Sequence, residues 1–198
     1  MTTSPAYPQL VLASTSKYRR ALLERLQLPF MVNGSLVDET PLPNEDAISL
    51  VHRLARAKAE AVADRYPQAV IIGSDQAAVR GRVVLGKPGT EDRCVEQLRD
   101  ASGQRVVFHT GVHIIDPRNR RHEAHIDTTT VHFRPLSDAE IRSYVARDQP
   151  LDCAGGFKVE TLGVTLFERI ESQDPTGLIG LPLIWLSSAL RRAGFQLP

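Results

Sequence analysis

The chain of 198 residues carries 24 Lys and Arg against 23 Asp and Glu, a formal net charge of +1 with His neutral. So even a balance excludes a broad nucleic-acid-binding face, and no apolar run approaches the length that crosses a bilayer. The length and a 42% apolar content suit one soluble unit able to bury a sizeable core.

Cys94 and Cys153 are isolated, with no CxxC pair, as expected in a reducing cytosol. The opening MTTSPAYPQ is polar and contains proline, so it reads as neither a signal peptide nor a targeting helix. Residues 1–8 are expected to form a tail.

Leu10 to Ala13 is a short apolar run of the kind found in buried strands, and it leads into Ser14, Thr15 and Ser16. A helical pattern follows, with Ala21, Leu22, Leu23 and Leu26 on one face. A strand ending in hydroxyl residues at a helix start gathers free backbone N–H groups at the positive end of the helix dipole. Lys17, Arg19 and Arg20 add cations there, which points either to a phosphate guest or to an ordinary Ser-capped helix with solvated basic residues.

Leu28–Val32 reads as a second strand, and residues 33–43 as a loop carrying the adjacent carboxylates Asp38 and Glu39. From Asp46 to Tyr66 the helical period places Ile48, Val51, Ala55, Ala59 and Val62 on one face. Lys58 falls within that apolar arc, while Arg53 and Arg56 lie outside it. A Lys on a buried side needs an anionic partner or a route to solvent.

Ala69–Ile72 reads as a strand buried on both faces that ends in Gly73-Ser74-Asp75-Gln76. In alternating α/β structures ligands gather at the carboxyl ends of such strands, which makes Asp75 the foremost working carboxylate. Ala77–Val79 and Val83–Leu85 flank a hairpin turn. Gly81 to Lys87 matches the GxxxxGK spacing of a P-loop, but Pro88 stands where a magnesium-binding Ser or Thr is required. The P-loop is therefore rejected, and Lys87 remains as a fixed positive charge on a Gly-Lys-Pro turn.

Thr90 caps a helix expected through Leu98. Arg105–Ile115 and His122–Phe133 form a long hairpin around Asp116-Pro117-Arg118-Asn119. His109, His113, His122 and His125 lie on these strands, but their parity does not gather them, which argues against zinc. Ser137-Asp138-Ala139-Glu140 is a capping box opening another helix. Beyond Pro150, Lys158 and Glu160 are two residues apart after a glycine turn and would point the same way on an extended segment. Val164–Ile170 reads as a strand, and Leu183–Leu190 as a final apolar helix behind Pro182.

Seven motifs occur here in one order: LASTSKYRR (12–20), Asp38-Glu39-Thr40, RLARAKA (53–59), IIGSDQ (71–76), Gly86-Lys87-Pro88, DCAGGFKVE (152–160) and GLPL (180–183). Together they resemble the Maf family of nucleoside triphosphate pyrophosphatases across nearly the whole chain. The resemblance implies an α/β fold with an elongated mixed sheet and flanking helices, and two lobes around a central cleft formed by residues 1–198. It also implies divalent-metal-dependent hydrolysis of a nucleoside triphosphate to monophosphate and pyrophosphate, commonly in a cytoplasmic homodimer, with no membrane or nucleic-acid polymer as partner.

By the same resemblance, Glu39 and Asp75 would hold Mg²⁺ or Mn²⁺, with Asp75 also the proton acceptor. Ser14, Ser16 and Arg19 would cradle phosphate, and Lys58 and Lys87 would neutralise the leaving pyrophosphate. Tyr18, Gln76 and Glu160 resemble the base-reading set of the branch that acts on 7-methyl-GTP, whose cationic ring gains from an aromatic face and a carboxylate. Lys17, Tyr18 and Gly177 depart from the residues usual at their positions. The alternatives are a different canonical or modified triphosphate as substrate, or a nucleotide-sensing regulator of cell division that needs no turnover.

Overall fold

The computed structural model describes residues 8–198; residues 1–7, and with them most of the expected tail, lie outside the described residues. A seven-stranded mixed sheet is formed by β1 (Gln9–Leu12), β2 (Met31–Val32), β3 (Ala69–Arg80), β4 (Val83–Leu85), β5 (Arg105–Asp116), β6 (Arg121–Phe133) and β7 (Phe167–Glu171). The order is β2-β1-β3-β5-β6-β7, with β4 paired to β3. Only β1 runs parallel to its neighbours β2 and β3; all other pairs are antiparallel.

The helices are α1 (Lys17–Glu24), α2 (Ala47–Ala63), α3 (Glu91–Ala101), α4 (Asp138–Asp148) and α5 (Leu183–Arg192). The caps expected at Ser16, Thr90 and the Ser137–Glu140 box form, and Asp46 caps α2 as well: Ser16, Asp46 and Thr90 accept from backbone N–H groups of the first turns, and Ser137 with Glu140 closes a capping box.

Strand alternation sorts the core. Val11, Ala13, Ile71 and Ile115 face α2 and pack on Ala59 and Val62. Leu10, Leu12, Val70 and Ile72 point the other way, onto Leu22 and Leu23 of α1 and Leu186 and Leu190 of α5. Farther along the same face, Ala78, Val106 and Phe108 pack with Cys94 and Leu98 of α3 and Ile141 and Val145 of α4.

The central strand β3 differs from expectation. β3 does not end at Gly73-Ser74-Asp75-Gln76 but continues to Arg80, because β5 pairs with it from Ile71 to Val79. On its other edge β1 is registered with Ala69 to Ile72 and β4 with Ala78 to Arg80. Among the described residues the edge at 73–77 has no strand partner there, and the cleft opens at that gap.

Gly73 and Gly111 let α2 lie directly on the sheet. A Cβ on Gly73 would stand 2.1 Å from the Ala55 carbonyl oxygen, and one on Gly111 would stand 2.6 Å from that of Val51.

Other segments differ as well. The strand expected over Leu28–Val32 shrinks to Met31–Val32, since Leu28 and Phe30 leave the sheet to pack against the α1–α5 cluster. Ala21 and Ile48 face solvent, and Leu50 and Leu54 join the buried side of α2 instead. The strand expected from Val164 begins only at Phe167, because Leu162–Leu166 winds into a 3-10 turn. Glu160 sits in a turn and Lys158 just before it, neither of them in a strand; Lys158 Nζ caps the end of α4 through the carbonyls of Asp148 and Gln149, at 2.5 and 3.2 Å. The His parity argument fails in part: His113 and His122 share a face with their ring nitrogens 3.3 Å apart, while His125 stacks on Trp185 from the opposite face.

Candidate active site

A cleft of about 560 Å³ lies over the open edge of β3, and all ten residues singled out from sequence line it. They are Ser14, Ser16, Tyr18, Arg19, Glu39, Lys58, Asp75, Gln76, Lys87 and Glu160. Asp75 and Gln76 are consecutive and therefore face opposite sides of the sheet. Both reach the cleft because it wraps around the strand edge where β1 has stopped.

On the α2 side, Lys58 projects from the helix through the close approach that Gly73 allows. Its side chain is 7% exposed, and Nζ stands 2.6 Å from both Asp75 Oδ1 and Glu39 Oε1. The buried ammonium thus finds the anionic partner its apolar position required. Partial burial pushes the Glu39 pKa up, but the bond from Lys58 and the charges of Lys58, Lys87 and Arg19 outweigh it and hold the carboxyl below its ordinary range. Each carboxylate meets Lys58 through one oxygen. Two convergent carboxylates form a hard-oxygen donor set that fits Mg²⁺ or Mn²⁺ completed by phosphate and water oxygens. Among the described residues no group of three or more His, Cys, Asp or Glu gathers as a metal cage.

Glu39 stands on a segment without helix or strand, so other groups must hold it. Arg53, which the helical period places outside the apolar arc, does so. Its guanidinium grips both oxygens of Glu45 at 2.6 and 2.7 Å and donates to the Thr40 carbonyl at 3.2 Å. Arg53 thereby depresses the Glu45 pKa to about 2. The RLARAKA motif carried this signal, but only the contact to Glu45 reveals what Arg53 is for.

At the start of α1 the anion-site and helix-cap readings coexist. Ser16 is the N-cap, accepting from Arg19 N at 3.4 Å, and Ser14 Oγ accepts from Ser16 N at 3.2 Å. Both hydroxyl protons remain available to a ligand. Arg19 Nε donates to the Gly180 carbonyl at 3.0 Å, which Ser74 Oγ also reaches at 3.0 Å. Gly180 has φ of +121°, a backbone state that favours glycine and turns this carbonyl toward both donors. Burial pushes the Arg19 pKa down, opposed by the charges of Asp75 and Glu39. Lys87 is exposed on the loop after β4 and adds its charge across the cleft.

Gln76 has a fixed orientation. Its Nε2 lies 2.9 Å from Thr110 Oγ1 and 3.1 and 3.0 Å from the carbonyls of Gly177 and Leu178. Thr110 spends its own proton on the Gly177 carbonyl at 2.9 Å, so all three contacts accept and the Gln76 amide nitrogen must face them. The carbonyl oxygen of Gln76 is what remains for a ligand. Neither Thr110 nor Gly177 was foreseen as support for it.

Tyr18, in the first turn of α1, and Glu160 also line the cleft. Its hydroxyl donates to Asp152 Oδ1 at 3.0 Å and accepts from Cys153 Sγ at 3.3 Å. Burial, with the Cys153 and Asp152 contacts, raises the Tyr18 pKa, so the hydroxyl stays protonated. Burial also pushes the Cys153 thiol up to about 11, keeping its S–H donor.

Comparison with known proteins adds to this geometry. The family described as Maf-like protein matches residues 9–193. A protein of Alkalilimnicola ehrlichii named 7-methyl-GTP pyrophosphatase is 55% identical over 190 residues, covering 96% of each chain. Proteins of the same name from Hydrogenovibrio crunogenus and Pseudomonas aeruginosa are 46% and 50% identical, covering 100% and 96% of this chain and 99% and 100% of their own. Among solved structures, a HAM1 protein from Coxiella burnetii aligns over 93% of this chain and 99% of its own with a TM-score of 0.51. At 14% identity that likeness speaks for the α/β fold alone.

Proposed function

This chain belongs to the Maf family, and on that premise we propose that it is a nucleoside triphosphate pyrophosphatase that hydrolyses 7-methyl-GTP to 7-methyl-GMP and pyrophosphate. The names of the relatives support the substrate. The observation that carries the chemistry is the buried Lys58 ammonium held 2.6 Å from both Asp75 and Glu39 at the floor of a cleft ringed by further cations.

Charge neutralisation over a triphosphate is the main demand of the reaction. Ser14, Ser16 and Arg19 bind phosphate oxygens at the start of α1, where hydroxyl protons, helix dipole and guanidinium add together. Lys58 and Lys87 take up the charge that develops on the departing pyrophosphate. Asp75 accepts the proton of the water that attacks the α-phosphorus. Glu39 and Asp75 would also hold a divalent cation, which when bound supplies further neutralisation of the phosphates. Tyr18 stacks on the methylated ring, whose positive charge strengthens the contact. Glu160 and the Gln76 carbonyl oxygen accept from guanine N–H donors. The reading treats residues 1–198 as one bilobal unit working in the cytoplasm as a homodimer, which sedimentation of the purified chain tests.

The test is Asp75→Asn assayed with 7-methyl-GTP and Mn²⁺, products identified. The native chain is expected to give monophosphate plus pyrophosphate, and the folded variant to lose two to three orders of magnitude in rate, about 3–4 kcal/mol. Diphosphate plus phosphate as products would overturn attack at the α-phosphorus. Nucleotide binding by the native chain without any turnover would favour a sensor instead.

A further inference from the structure

Asp152 lies beside Tyr18 on the segment that follows α4, and it is engaged on both oxygens. Oδ1 accepts from the Tyr18 hydroxyl at 3.0 Å, and Oδ2 pairs with Lys17 Nζ at 3.0 Å. Lys17 Nζ in turn stands 4.9 Å from the centroid of the Tyr18 ring. The aromatic ring is thus tethered at its edge and capped by an ammonium on one face. A base stacking on the ring would take the opposite face.

The Lys17–Asp152 pair has side chains 69% and 52% exposed, so it adds little to folding. Its consequence is electrostatic. Adding a van der Waals gap of about 3.5 Å to the 4.9 Å over the ring puts Lys17 about 8 Å from a base stacked on the open face. Between the dielectric limits of water and a protein surface, one unscreened charge at that range disfavours a cationic base by about fivefold. A neutral base feels no such charge–charge repulsion. Desolvation raises the Asp152 pKa, but the bonds from Lys17 and Tyr18 outweigh it and keep the carboxylate ionised.

We infer that Asp152 is a specificity-determining residue: it holds Tyr18 for stacking and cancels the charge of Lys17, so that the free face of the ring accepts a positively charged purine. This rests on the reading of 7-methyl-GTP as substrate.

The experiment compares kcat/KM for 7-methyl-GTP and GTP at low ionic strength, where screening is weak, in the native chain, Asp152→Asn and the double variant Asp152→Asn with Lys17→Gln. Asn keeps an oxygen that accepts from the Tyr18 hydroxyl and removes only the charge. The ratio of 7-methyl-GTP to GTP is expected to fall about fivefold in Asp152→Asn and to recover in the double variant, where no uncompensated ammonium remains. A ratio unchanged in Asp152→Asn, an equal loss on both substrates, or no recovery in the double variant overturns the inference while the substrate reading stands. A native chain that prefers GTP, or treats both alike, overturns the substrate reading and the inference with it.

Discussion

Lys58→Met tests how the two carboxylates of the cleft are held. Methionine matches the volume and reach of the lysine stem, so no cavity opens and only the ammonium is removed. Asp75, whose side chain is 11% exposed, loses its 2.6 Å partner. Leaving such a buried charge unpaired costs about 3 kcal/mol. Glu39 is 57% exposed, and solvent screening holds its share below about 1 kcal/mol. The sum, about 3–4 kcal/mol, is less than the whole stability of an ordinary domain, so the variant remains folded. Its melting temperature should fall by about 10 °C, and pyrophosphate release by two to three orders of magnitude. Adding Asp75→Asn removes the unpaired charge and should restore about 2 kcal/mol of stability without restoring activity. Thermal melting of the single and double variants, beside a pyrophosphate assay, gives the comparison. A Lys58→Met chain melting within about 2 °C of the native protein would refute the reasoning, as would a double variant less stable than the single one.

Two more predictions concern the same face of the sheet. Gly73→Ala would set a Cβ 2.1 Å from the Ala55 carbonyl oxygen and 2.7 Å from Ala59 N, so α2 must retreat by about 1 Å at a cost of about 1–3 kcal/mol. Lys58 moves with it, and kcat should drop about a hundredfold; a variant with native kcat would show that the close approach is irrelevant to the site. His113 is pushed down to about 4, first by burial and then by the neighbouring His122 and Arg56. With its folded pKa below the unfolded value of 6.5, its contribution is present above pH 6.5 and is lost as pH falls toward 4. The loss amounts to at most about 3 kcal/mol. Melting curves of the native chain and His113→Leu should therefore differ in slope between pH 6.5 and 4, the variant being flatter, and parallel slopes would contradict it.

Much of the chain declares itself locally, because caps, helical faces and strand runs are short-range matters. Ser16, Asp46, Thr90 and the Ser137–Glu140 box cap as their residue types require. The position of Lys58 within an apolar arc announced a buried cation in search of an anion. The order of seven motifs pointed to the family and to ten of the residues that line the cleft.

Tertiary structure decided what those residues are made to do. The length of β3 was hidden because Gly73-Ser74-Asp75-Gln76 looks like a strand end, and only the pairing with β5 carries the strand through it. Whether Gln76 presents an amide or a carbonyl depends on three acceptors, two of them about a hundred residues away. Arg53 holding the Glu39 segment through Glu45, and Asp152 joining Tyr18 to Lys17, are side-chain contacts that leave no periodicity in the sequence. Sequence by itself determined which chemical groups this chain owns and most of the helices and caps that carry them, since those follow from composition and local spacing. The donors and acceptors each group finds depend on where distant segments meet, and that is set by packing across the sheet.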